Sequence, residues 1–137
     1  MGTWAVDAFG NDYALDWAED LRETKNLEAV ESTLDNVLDN GGAYLEAPFA
    51  AEALVAIEVI ARLQGHWGLR SEESAALDAW VEQRPQKARP DLAAKAHQVI
   101  ERILAEQSEL RELWTDSEHY ADWTAAVAEL KGRVSVG

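Results

Sequence analysis

Apolar residues recur along this chain at steps of three, four and seven, the spacing that places them on one side of a helix. Nowhere do they alternate over a run rich in β-branched residues. The pattern predicts about six helices. The first starts at Asn11 or Asp12, whose side chains accept from the free N–H groups of a first turn, and runs to about Thr24 with Ala14, Trp17, Ala18 and Leu21 inward. The second, about Leu27 to Leu38, carries Leu27, Val30, Leu34, Val37 and Leu38 on one stripe and stops at Asn40-Gly41-Gly42.

The third helix, about Pro48 to Leu63, has a different pattern. Phe49, Ala50, Ala51, Ala53, Leu54, Val55, Ala56, Ile57, Val59, Ile60 and Ala61 leave few positions for a wet face, which predicts a central helix that its alanines let neighbours approach closely. Gly65-His66-Trp67-Gly68 ends it. Ser71 is positioned to cap a short fourth helix through Val81, with Ala76, Leu77, Trp80 and Val81 inward. After the basic, proline-punctuated crossover 84–90, Asp91 caps a long helix with Leu92, Ala96, Val99, Ile103, Leu110 and Leu113 on its stripe, which Ser108 can divide. The last helix begins at Asp116 or Ser117, buries Tyr120, Trp123, Val127 and Leu130, and ends at Gly132. The expected fold is all-α, a single compact domain over 1–137 of about six helices around the apolar third.

Composition adds few constraints on this picture. At 137 residues the chain can bury roughly two-thirds of the surface its unfolded form exposes, without a staple. The lack of cysteine removes disulfides, thiolate catalysis and Cys-ligated zinc together, and it fits the cytoplasm. The most apolar segment, AEALVAIEVIARL, is too short and too often interrupted by Glu to span a bilayer, so no membrane role is expected.

Charge changes the picture more. Residues 1–61 hold 13 acids against Arg22 and Lys25, a net of −11, whereas residues 62–137 hold 13 acids and 10 bases, a net of −3. Such a chain lacks the basic patch that displaces counterions from a phosphate backbone, so nucleic acid is excluded as a partner. A basic or polar protein is the partner that this charge suits. Asp12, Asp16, Glu19 and Glu23 fall on one face of the first helix, and Glu28, Glu31, Asp35 and Asp39 on one face of the second. Like charges at i, i+4 cost a helix about 0.2–0.5 kcal/mol per pair, a small penalty that a solvated outer face tolerates as readily as a docking surface does.

Motifs for chemistry are few. No serine sits in a Gly-x-Ser-x-Gly elbow, no glycine loop is built to cradle phosphate, and the Glu-x-x-His pairs of di-iron bundles do not occur, so no catalytic residue, cofactor or metal site is assigned. Glu52 and Glu58 stand about 120° apart on the third helix and cannot share one ion from it alone. Glu58 is expected to pair with Arg62 at i+4, and Glu52 to accept from an indole or a backbone amide. If any carboxylate of the chain has a raised pKa, these two are the places to look for it. His119 and Asp122 form at most a loose cation contact or a solvated surface pair.

Several of these residues carry a resemblance. Gly2-Thr3-Trp4, Phe9, Asn11-Asp12, Ala14 and Asp16-Trp17, then 53–61, 108–114 and Trp123, resemble a bacterial family catalogued as domain of unknown function 4259, whose opening pattern is G-[T/A]-W-G-x-G-P-F-x-N-D-x-A-x-D-W. The likeness covers essentially the whole chain. Ala5, Asp7 and Ala8 depart from it where the pattern has Gly, Gly and Pro, removing the backbone freedom those glycines confer. The resemblance implies a single bacterial domain and carries no activity with it.

Three functional expectations follow. The first is a non-enzymatic protein-binding module presenting Asp12, Asp16, Glu19, Glu23, Glu28, Glu31 and Asp35, of which an immunity-type inhibitor is one form. The second is a small-ligand protein or enzyme with its site at Trp4, Phe9, Asn11, Asp12, Asp16 and Trp17; the competing reading makes this stretch a clasp over the start of the first helix. The third is a weak divalent-metal protein. A homo-oligomer is compatible with all three.

Overall fold

A computed structural model describes residues 12–21, 23, 27–39, 44–68, 74–83 and 90–135. Trp4, Phe9 and Asn11, the Asn40-Gly41-Gly42 stop, the Ser71 cap and the crossover 84–89 lie outside them. Among the described residues seven helices form: α1 (Asp12–Leu21), α2 (Glu28–Leu38), α3 (Ala47–Leu63), α4 (Ala75–Gln83), α5 (Pro90–Leu104), α6 (Glu109–Thr115) and α7 (Tyr120–Arg133). No helix among the described residues is long and apolar enough to cross a membrane.

The fold is all-α and organised around α3, which packs against every other helix. From Ala53 to Arg62 each residue of α3 is buried, so the near absence of a polar face in the sequence matches an element with neighbours on all sides. Around it the inward stripes fall as the spacing predicts: Ala14, Trp17, Ala18 and Leu21 in α1, Val30, Leu34 and Val37 in α2, Leu77, Trp80 and Val81 in α4, and Leu92, Ala96, Val99 and Ile103 in α5 are all buried. Each large apolar side chain so buried contributes about 1.5–3 kcal/mol relative to exposure.

The C-terminal part of the pattern is corrected in several details. The stripe after Asp91 divides at Ser108, as that residue's place allows, so seven helices stand among the described residues where about six were expected. Residues 105–107 leave α5, Gln107 takes a positive φ of 64°, and Ser108 starts α6 by accepting from Arg111 N. That break re-aims α6, so Leu113 is 42% exposed while Trp114 turns inward and stacks on Trp123 at 6.2 Å. The last helix starts at Tyr120 because Ser117 closes the preceding turn, its hydroxyl donating to Trp114 O and accepting from His119 N. Gly132 lies inside α7 and does not end it.

A buried polar network crosses the core. Glu58 pairs with Arg62 one turn on, as the spacing predicts, and the Arg62 Nε donates to Asp78 Oδ1 of α4 at 2.7 Å. Ser74 Oγ donates to Asp78 Oδ2 at 2.7 Å, and the Arg62 guanidinium lies 5.7 Å from the centre of the Trp67 ring. Charges this deep require full pairing, and among the described residues no buried side-chain nitrogen or oxygen is left without a hydrogen bond.

Candidate functional site: an acidic helical surface

At about 100° per residue, the inward set of α1 forces Asp16, Glu19 and Asp20 onto the opposite side, and all three are exposed, as is Glu23 just beyond the helix. Tyr13 shares this side, 46% exposed. Asp20 belongs to this surface although the four-residue stripe passes over it; its i+4 spacing from Asp16 was the signal for including it. Of Asp12 only the backbone, as the first residue of α1, is described.

The stripe on α2 is divided. Glu28 is exposed, whereas Glu31 and Asp35 are half-buried and face α5, where Lys95 Nζ lies 2.8 Å from Asp35 Oδ1 and 3.4 Å from Glu31 Oε2. The Asp35 hydrogen bond is the largest influence holding the Lys95 ammonium above its usual pKa. Glu31 and Asp35 thus join α2 to α5 and are partly neutralised there. Asp16, Glu19, Asp20, Glu23 and Glu28 lie outward, as does Asp39 just past the end of α2.

Trp17, on the other side of α1, is part of the core. Its indole Nε1 donates to Thr33 Oγ1 at 2.9 Å, and that hydroxyl donates in turn to Ala29 O at 2.8 Å, so one relay ties α1 to α2 and satisfies the buried indole. The rest of the aromatic cluster expected around it lies outside the described residues.

The other candidate groups divide clearly. Glu52 is half-buried, and its carboxyl is pushed above the usual range first by that burial and then by the charge of Asp20. The indole or amide donor expected for it is not found among the described residues. His119 Nδ1 and Asp122 Oδ2 stand 3.6 Å apart with both side chains exposed, the geometry of a solvated pair. Among the described residues no group of three or more His, Asp or Glu side chains converges as a metal site would require.

A family model described as Domain of unknown function (DUF4259) matches residues 2–126. No curated protein and no solved structure shows significant similarity to the chain.

Proposed function

Because the chain belongs to the DUF4259 family, whose description assigns no activity, we propose its function from its surface: a non-enzymatic module that binds a basic protein through the outer side of α1 and the start of α2. One observation carries the reading. Asp16, Glu19, Asp20 and Glu28 are held exposed on short helices whose opposite sides are locked into the core, with Glu23 exposed in the turn after α1. Clustered like charges raise the local potential, steer an oppositely charged partner and disfavour acidic ones.

An inhibitor that covers a cationic active site is one form such a module takes. The setting in this proposal is the bacterial cytoplasm, in keeping with the family resemblance and the lack of cysteine. Affinity capture with the intact chain, compared with a variant carrying Asp16, Glu19, Glu23 and Glu28 as Ser, tests the reading. A partner retained equally by both removes it.

A further inference from the structure

The turn 65–68 and the C-terminal end of α7, with the two residues after it, fit one another closely. Arg133 Nη2 donates to Glu58 Oε1 at 2.6 Å and Nη1 to Glu58 Oε2 at 3.1 Å, while Nε donates to Glu129 Oε2 at 2.6 Å. Nη1 also lies 3.4 Å from His66 O. Gly68 makes room for this guanidinium, since a Cβ there would stand 2.5 Å from Arg133 Nη1.

The backbone is gripped as well. A carbonyl can only accept, so His66 Nδ1 donates to Arg133 O at 2.6 Å and His97 Nε2 to Val134 O at 2.8 Å. The Gln64 amide both donates to Ser135 O and accepts from Ser135 N, each at 2.8 Å. Val134, extended at φ −89° and ψ 111°, is buried between these contacts. Three successive carbonyls are each held by a side chain distant in sequence.

We propose that Arg133-Val134-Ser135 is a releasable latch, and that its seat in Gln64, His66, Gly68, His97 and Glu58 controls when α7 opens from the rest of the fold. Release strands no buried charge. Glu58 is shared between Arg133 and Arg62, so when Arg133 leaves, the carboxylate keeps Arg62, and Arg62 keeps Asp78. The grips of Gln64 and His66 lie toward the surface, where water replaces them one at a time. What then still holds α7 is chiefly its single stripe, Trp123, Val127 and Leu130.

Amide hydrogen exchange on the full chain tests the latch. Gln64→Glu sets a carboxylate against the Ser135 carbonyl, Gly68→Ala crowds the guanidinium, and Lys131→Gln, outside the seat, removes only the solvent-exposed pairing of α7 with Glu101 of α5. The expected result is exchange about tenfold faster over 120–135 in the first two variants, with α3 and α5 unchanged and Lys131→Gln like the parent. Should Gly68→Ala fail to fold, Gln64→Glu decides alone. Unchanged exchange in α7, equal acceleration in Lys131→Gln, or acceleration of α3 and α7 together would overturn the proposal.

Discussion

Glu109 caps a helix to which it does not belong: its Oε1 accepts from Ala47 N at 2.7 Å, at the start of α3 and 62 residues away in sequence. Glu46, at the local cap position, makes no side-chain cap bond, and Pro48 has no N–H to satisfy. The cap is held in place by a short parallel bridge, in which Leu45 N donates to Gln107 O and Glu109 N to Leu45 O. The central helix is therefore started by α6. Glu109→Ala is expected to lower the unfolding free energy by about 1 kcal/mol in urea denaturation, whereas Glu106→Ala, on an exposed bend, leaves it unchanged.

Arg62 has a larger expected effect. Replacing it with Met takes the guanidinium away from the buried Asp78 carboxylate, and the expected loss is about 3–5 kcal/mol. Adding Asp78→Leu removes the buried carboxylate along with its counter-charge and should restore a good part of that loss. Two single-variant unfolding curves and one double-variant curve measure the coupling directly.

Glu52 gives the fold a pH dependence of known sign. Its folded carboxyl is raised above the ordinary 4.5, so the stability linked to its proton is complete below that value and is lost as pH rises through the folded value. At neutral pH the ionised Glu52 thus opposes folding. Glu52→Gln should melt higher than the parent at pH 7, with the gap closing as the pH falls below the ordinary carboxylate range. Identical melting temperatures across that range would contradict the assignment.

Tyr44 provides a spectroscopic check on how α6 meets the start of α3. Its hydroxyl donates to Glu112 Oε1 at 2.7 Å, and chiefly through that bond its phenol is pushed from 10.0 up to about 12. Phenolate absorbance should show a late-titrating tyrosine that Tyr44→Phe removes and Glu112→Gln returns toward the usual value.

Much of the fold was legible in the sequence because its strongest signals are local. The centrality of α3 followed from a run of small apolar residues with almost no polar face, and the division at Ser108 from a cap residue within a long stripe. Leu113 faces outward because the stripe through Leu110 assumes one continuous helix, and the left-handed Gln107 rotates everything after it. The pairing of Glu58 with Arg62 was readable at i+4, but Arg133 reaches the same carboxylate from 75 residues away, and no periodicity encodes that. The acidic surface was legible on α1. On α2 it was only half legible, since nothing in the local pattern brings Lys95 of α5 to Glu31 and Asp35.

The most direct test of the binding role is a calorimetric titration of the captured partner with the parent chain and with the variant carrying Asp16, Glu19, Glu23 and Glu28 as Ser, each at low and high salt. The expected result is a basic partner, binding that weakens as salt rises, and a variant that folds normally yet binds at least about tenfold more weakly. Equal affinity for parent and variant, unaffected by salt, would contradict it.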